Sequence, residues 1–257
     1  MERFTADYID SCPRDGGVIL RGHNMTRVET FVDAAFAFAL TLLVISIDEI
    51  PRSPAQLVET ARDIPAFLIS AYFIGQLWLS HVGWSRIYGL QDRITVVFSL
   101  AIVMLVLVFV YPLKLMLQSG IFYFSSGRFG ANIMVDDGEW TATDVSGMFV
   151  FSAVGVLCAA LIIIGLYLNG LRHREQLRLT AYEIFLSWRR ITFAAMVGAT
   201  AVICGWGGLI LTGGALPFSG LGYFTLFLTL PITGRVFNLL YPPPPFAPLP
   251  GKATPPP

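Results

Sequence analysis

The chain has 257 residues, of which 55% are hydrophobic and 13% are charged, and its formal net charge is zero. An ordinary soluble domain carries about 25% charged residues, whereas the charged residues here cluster between long apolar stretches. This pattern indicates an integral membrane protein. The zero net charge, with no basic aromatic stripe, argues against a nucleic-acid partner.

The first 26 residues contain no apolar segment of signal-peptide length. We expect residues 1–26 to form a cytoplasmic N-terminal segment. The three cysteines, Cys12, Cys158 and Cys204, are far apart in the chain. Two of them lie in apolar stretches, so we interpret them as small buried residues and predict neither a disulfide nor a metal site.

Six apolar stretches follow, each near the roughly 20 residues that cross a bilayer as a helix. They cover residues 27–47, 64–84, 94–117, 148–168, 191–211 and 221–241. Pro231, Gly234 and Arg235 interrupt the sixth stretch. The sequence therefore predicts an all-α integral membrane protein with six transmembrane helices, in one domain of residues 27–241.

The charges of the loops predict the orientation of these helices. Arginines precede the first span, flank the turn between the second and third, and crowd the segment between the fourth and fifth, whereas acidic residues dominate the other loops. By the positive-inside rule, both termini are cytoplasmic. Residues 170–190 predict a short interfacial helix, residues 118–146 include a long external loop, and residues 242–257 predict a proline-rich, disordered tail.

Asp33 lies within the first apolar stretch. A carboxylate costs roughly 2.5–3.5 kcal/mol at the centre of a membrane helix, so Asp33 should face protein or enclosed water. Counting 1.5 Å per residue from the cytoplasmic ends places His81 and Ser99 at the depth of Asp33. Both could donate hydrogen bonds to it, and Arg27 or Arg93 could neutralise it. Such a group suits a structural network, cation attraction at a pore entrance, or a proton relay.

Phe38, Leu42 and Ile45 follow Asp33 with i, i+4, i+7 spacing, so they share one face of the first helix. Such an apolar stripe is usually a packing seam, although it can also line a pore. Small alanines beside the stripe would allow a neighbouring helix to approach closely.

Three segments carry a family resemblance. RVETFVDAAFAFALTLLV, with Arg27, Phe31 and Asp33, resembles the signature of the transmembrane protein 175 family of potassium channels, an arginine followed by phenylalanine-serine-aspartate. LWLSHVGWSRI, with Trp78 and His81, resembles the tryptophan and histidine of that family's second span, and VFVYPLKLML resembles the end of its third span. Prokaryotic members of the family have six spans with one signature.

The resemblance implies a homotetramer whose first helices line the pore, with rings of large apolar side chains as the constriction. Phe38 corresponds to the narrowest, isoleucine ring, and Leu42 and Ile45 to the rings that follow. The network that braces the pore helices corresponds to Arg27, Asp33, Trp78 and His81. The chain departs from the family pattern at Val32, which replaces the signature serine, and at Phe38 itself.

The sequence contains no HExxH, GxSxG, CxxC or phosphate-cradling pattern, so we predict that the protein is not an enzyme. We predict a cation channel subunit, favouring potassium, in the cell (cytoplasmic) membrane of a prokaryote. Its partners would be the lipid bilayer, monovalent cations and three further copies of the chain, with permeant K⁺ and no cofactor. A secondary transporter and a non-conducting membrane scaffold are the alternatives.

Overall fold

The computed structural model describes residues 5–45, 52–130, 141–211, 219 and 222–245. Most of these residues are α-helical. The elements in chain order are α1 (Ala6–Ser11), the short strands β1 (Arg14–Asp15) and β2 (Val18–Ile19), α2 (Arg27–Ile45), α3 (Pro54–Ala61), α4 (Ile64–Tyr88), α5 (Arg93–Phe124), α6 (Ala142–Arg172), α7 (Ala181–Ile210), a 3-10 turn (Gly222–Thr225) and α8 (Leu226–Leu240). The strands β1 and β2 form an antiparallel hairpin.

Within the described residues, five helical segments are long and apolar enough to cross a membrane: α2, α3 with α4, α5, α6 and α7. The prediction of an all-α integral membrane protein is therefore confirmed. The sixth predicted span corresponds to α8, which has 15 residues. At 1.5 Å per residue, α8 covers about 22 Å of a hydrocarbon core roughly 30 Å thick. A sixth span and cytoplasmic termini thus remain predictions, and residues 246–257 of the proline-rich tail lie outside the described residues.

Side-chain caps determine where the long helices begin. Thr141 and Asp144 form a capping box at the start of α6, and Thr180 and Glu183 form one at the start of α7. Both helices therefore start well before the apolar stretches that predicted them. The predicted interfacial helix at residues 170–190 is wrong, since α6 continues to Arg172, residues 173–178 form a turn and α7 begins at Ala181.

The long helices pack in an order close to that of the chain. α2 contacts α4 and α5, α5 contacts α6, and α6 packs along α7. Glycines on α6 allow aromatic rings of α5 to approach its backbone. A Cβ on Gly155 would lie 2.3 Å from the ring of Phe109, and one on Gly165 would lie 2.5 Å from the ring of Phe98. This close packing fixes the core against which α2 rests.

The N-terminal segment folds against one end of the helical bundle. Ile9, Cys12 and Ile19 form a small buried cluster with Tyr8 packed on it. The Tyr8 hydroxyl donates a hydrogen bond to the carbonyl of Arg21, at 2.7 Å. The Ile19 N–H donates to Glu183 Oε1 of α7 at 2.7 Å, which attaches the segment that precedes α2 to the bundle.

Candidate pore helix and its polar partners

Helix α2 buries one face against its own subunit. Val32, Phe36, Ala39 and Leu43 are at most 3% exposed and belong to the main hydrophobic core with side chains of α4 and α5. Their spacing of three or four residues is that of a helical stripe. This stripe determines which way the rest of α2 points.

The other face of α2 is open in the subunit. Phe38 is 55% exposed and Ile45 is 63% exposed, and Leu42 is half-buried at the edge of this face. Ala34, Ala37 and Thr41 are also exposed. The Thr41 hydroxyl donates to the Ala37 carbonyl of its own helix, at 3.0 Å. The predicted constriction residues thus lie largely outside the core of the single subunit.

Asp33 is half-buried between these two faces. The indole Nε1 of Trp78, on α4, donates a hydrogen bond to Asp33 Oδ1 at 2.7 Å. A charge-assisted hydrogen bond of this kind is stronger than a neutral one, and here it ties α2 to α4. Depth counting from the sequence predicts His81 and Ser99 as donors, whereas Trp78, one helical turn before His81, enters the predicted network only through the family resemblance.

His81 and Ser99 form a second pair beside the first. His81 Nε2 lies 3.0 Å from Ser99 Oγ, and the two residues are 2% and 1% exposed. This contact ties α4 to α5. The remaining member of the predicted group, Arg27, lies at the first position of α2, where its side chain is exposed. The structure therefore arranges the group as two pairs, Asp33–Trp78 and His81–Ser99, with Arg27 at the surface.

The start of α2 is capped by its own residues. The Thr26 N–H donates to Glu29 Oε2 at 2.7 Å, and the Glu29 N–H donates to Thr26 Oγ1 at 3.2 Å. This reciprocal arrangement is a capping box, which satisfies two backbone donors that a helix start leaves open. It fixes where the helix begins, and it occupies the Glu29 carboxylate.

A second polar cluster joins the start of α5 to the end of α6. Asp92 caps α5 by accepting hydrogen bonds from Thr95, and Asn169 Nδ2 donates to both Asp92 oxygens, at 3.0 and 3.1 Å. Burial raises the pKa of the Asp92 carboxyl, but the hydrogen bonds from Thr95 and Asn169 outweigh it and hold that pKa below its ordinary value. Sequence reasoning missed this cluster, although Asp92 directly before an apolar helix is a readable N-cap signal.

No group of three His, Cys, Asp or Glu side chains in the described part of the chain is arranged to hold a metal ion. The pairs Asp33–Trp78 and His81–Ser99 join helices through hydrogen bonds. Fold and site together define a multi-pass α-helical membrane protein whose first long helix is bonded to α4 through Asp33 and Trp78 and is open on its other face.

Comparisons with known proteins identify the family. The profile of the endosomal/lysosomal potassium channel TMEM175 matches residues 27–112. A potassium channel of Marivirga tractuosa is 34% identical over 171 residues, which are 64% of this chain and 67% of that protein. The crystal structure of a variant of the potassium channel MtTMEM175, in complex with a nanobody–MBP fusion protein, matches with a TM-score of 0.74 and 28% identity, over 88% of this chain and 99% of that one. The chain belongs to the TMEM175 family of potassium channels, and the resemblance read from its sequence is confirmed.

Proposed function

We propose that this chain is the subunit of a homotetrameric cation channel that favours potassium, and that the four copies of α2 line its pore. The observation that carries the proposal is the division of α2 into a buried face and an open one. Phe36 and its neighbours anchor the helix to the subunit, which leaves Phe38 and Ile45 on the opposite side and Leu42 at its edge. Membership of a potassium channel family supports this reading.

An assembly is needed because a single subunit does not surround a pore with α2. The helix packs against α4 and α5 on one side. Its open face carries the small residues Ala34 and Ala37 beside the large ones, and small residues allow membrane helices to approach closely. Four copies meeting at this face around an axis would place the Phe38 side chains in one ring, with Leu42 and Ile45 in rings beyond it.

A ring of apolar side chains controls conduction through its radius. A narrow apolar constriction loses its water and blocks ions, whereas a slightly wider one stays wet and conducts. By the family resemblance, four phenyl rings at Phe38 form the narrowest part of the proposed path. The Asp33–Trp78 pair holds α2 against α4, and the His81–Ser99 pair holds α4 against α5. Together they support α2 at the radius at which the ring sits. Arg27 and Asp33 lie toward the predicted cytoplasmic mouth of this path.

Phe36 and Phe38 provide a matched test, since they are the same residue type two positions apart on one helix. Phe38→Ala removes no side chain from the subunit core, so we expect the unfolding temperature to stay near that of the wild type. The shorter side chain widens and wets the constriction, and the potassium flux per channel should rise on the order of tenfold, or about 1.4 kcal/mol in the barrier. Phe36→Ala empties a core position and should destabilise the protein by about 3–5 kcal/mol.

The measurements are thermal unfolding in detergent, oligomeric state, and potassium flux into liposomes. An unchanged flux through folded Phe38→Ala tetramers, with a conducting wild type, would place the constriction elsewhere. Wild-type tetramers that carry no flux at any pH or voltage would favour a membrane scaffold instead. A flux that saturates and depends on a second ion would favour a secondary transporter.

A further inference from the structure

A fully buried ion pair lies at the end of the bundle where α2 begins. The side chains of Arg21 and Glu183 have no exposed surface, and the guanidinium meets the carboxylate with two hydrogen bonds of 2.9 Å each. Arg21 precedes α2, and Glu183 lies in the first turn of α7. We call this contact the Arg21–Glu183 clamp. The function proposed above makes no use of it.

The clamp gathers several chain segments around one guanidinium. Arg21 also donates to the carbonyls of Leu177 at 2.7 Å, Arg178 at 3.1 Å, Ile19 at 3.2 Å and Ile87 at 3.3 Å. The Glu183 carboxylate accepts the backbone N–H of Ile19 at 2.7 Å and that of Thr180 at 2.9 Å. Burying two charges is costly unless their remaining hydrogen-bonding groups are satisfied, and here both partners are extensively bonded. The N-terminal segment, the end of α4 and the start of α7 are thereby held together.

The clamp is directly connected to the start of α2. The N–H of Gly22, the next residue after Arg21, donates to the Arg86 carbonyl of α4 at 3.0 Å. A Cβ on Gly22 would lie 2.3 Å from the Ser85 carbonyl oxygen, so its backbone rests directly on the end of α4. Four residues later, Thr26 begins the capping box of α2. Four residues span at most about 14 Å, so the clamp restricts where α2 can start.

A chain of contacts also leads from the clamp along α4 to the His81–Ser99 pair. Ser187 Oγ donates to the Glu183 carbonyl at 2.6 Å and is hydrogen-bonded to the Tyr88 hydroxyl. The Tyr88 ring stacks on Trp84 with centroids 5.7 Å apart, and Trp84 lies 6.2 Å from His81. His81 bonds to Ser99. The clamp thus reaches the start of α2 along the chain, and it also reaches the pair that joins α4 to α5.

We propose that Arg21 and Glu183 are positioning residues for the pore helix: they fix the start of α2 relative to α4 and α7, and through it the fraction of time the pore is open. This inference rests on the proposed function, because the placement of α2 can set the open probability only if α2 lines the pore. Neither side chain lies on the open face of α2, so neither contacts the path that ions would take.

The test replaces Glu183 with glutamine, which keeps the shape and an acceptor oxygen and removes the charge. We expect Glu183→Gln to form tetramers whose open probability in single-channel recordings changes roughly two- to thirty-fold, the range of such couplings. The single-channel conductance and the K⁺/Na⁺ selectivity should stay at their wild-type values, because the constriction keeps its side chains. Arg21→Lys keeps the charge but loses the bidentate hydrogen bonding to Glu183. It should change open probability in the same direction as Glu183→Gln.

Asp10→Asn is the control. The Asp10 side chain is exposed and lies 3.9 Å from that of Arg14, so its replacement should leave open probability unchanged. Hydrogen–deuterium exchange gives a readout that needs no conduction. In Glu183→Gln, the amides in the first turns of α2 should exchange faster than in the wild type, while those in the middle of α6 should not. Folded Glu183→Gln tetramers with wild-type open probability and wild-type exchange in α2 overturn the inference. A non-conducting wild type refutes the proposed pore alone, and exchange in α2 then decides whether the clamp positions the helix.

Discussion

Replacing Trp78 with phenylalanine isolates the bond that ties the membrane-buried acid to α4. The ring stays apolar and nearly fills the site, but Asp33 Oδ1 loses the donor that lies 2.7 Å away. A hydrogen bond to a charged group contributes about 1.5–3 kcal/mol, whereas hydrogen bonds between membrane helices average about 0.6 and reach about 1.7 kcal/mol. The two ranges meet near 1.5 kcal/mol, which is the loss we expect. For a chain of this length that is a fall of roughly 3–6 °C in unfolding temperature.

The assay is thermal unfolding of the purified protein in detergent, with Trp206→Phe as the matched control. Trp206 is 62% exposed on α7, so the same substitution there should change the unfolding temperature little. Asp33→Asn and the double variant complete a mutant cycle, in which the two losses should be less than additive because they remove one shared contact. If Trp78→Phe unfolds at the same temperature as Trp206→Phe, or if the cycle is additive, the bond does not brace α2.

Asp33→Asn also separates the three roles that the sequence left open for this acid. Loss of assembly supports a structural network, whereas intact tetramers with a reduced cation flux support attraction of cations near a pore entrance. Intact tetramers with an altered dependence of flux on pH support a proton relay.

Two further predictions concern the scaffold around α2. Gly165→Ala places a Cβ 2.5 Å from the Phe98 ring, so the free energy of unfolding, measured by thermal unfolding, should fall by about 1–3 kcal/mol. Gly75→Ala is the control, because its Cβ would meet nothing within 4 Å, and the free energy of unfolding should rise by about 0.5–1 kcal/mol. Equal effects of the two substitutions would contradict the close α5–α6 packing. The Asp92 carboxyl has a pKa below its ordinary value of 3.8, so the stability it adds is fully present above that value and is lost as pH falls through the lower, folded-state pKa. Unfolding temperatures at pH 7 and pH 3 should therefore differ less in Asp92→Asn than in the wild type, and an equal difference would contradict this role.

The sequence predicted the long helices because apolar length is a direct requirement of the bilayer. It did not predict their ends. Hydropathy marks the part of a helix that lies in lipid, whereas the Thr141–Asp144 and Thr180–Glu183 caps start α6 and α7 outside that part. Both cap signals are readable in the sequence. The prediction of an interfacial helix arose because the arginine-rich segment before residue 191 was interpreted as amphipathic, whereas its second half is the start of α7.

Depth along a helix could be counted from the sequence, but rotation about its axis could not. Counting residues placed Asp33, His81 and Ser99 at one level. The rotation of α4 decides that Trp78, one turn from His81, meets Asp33, while His81 meets Ser99. The Arg21–Glu183 pair joins residues 162 positions apart, and no local pattern marks either member as buried.

Rotation also explains why the sequence could not distinguish a packing seam from a pore lining on α2. Both faces of this helix are apolar, so periodicity identifies the stripe of Phe38, Leu42 and Ile45 without saying what covers it. The subunit structure shows that the core lies on the other face. Exposure of large side chains does not by itself identify a pore lining, since α7 also exposes large side chains such as Ile203 and Trp206.

The open face of α2 carries several small residues. Ala34, Ala37 and Thr41 alternate there with the large side chains. Lipid tails cover large apolar side chains without requiring close approach, whereas small residues are enriched where membrane helices meet. The composition of this face is therefore compatible with the proposed contact between copies of the helix. Because each copy also presents Phe38 on the same face, contact between the copies would bring the four phenyl rings to a common axis.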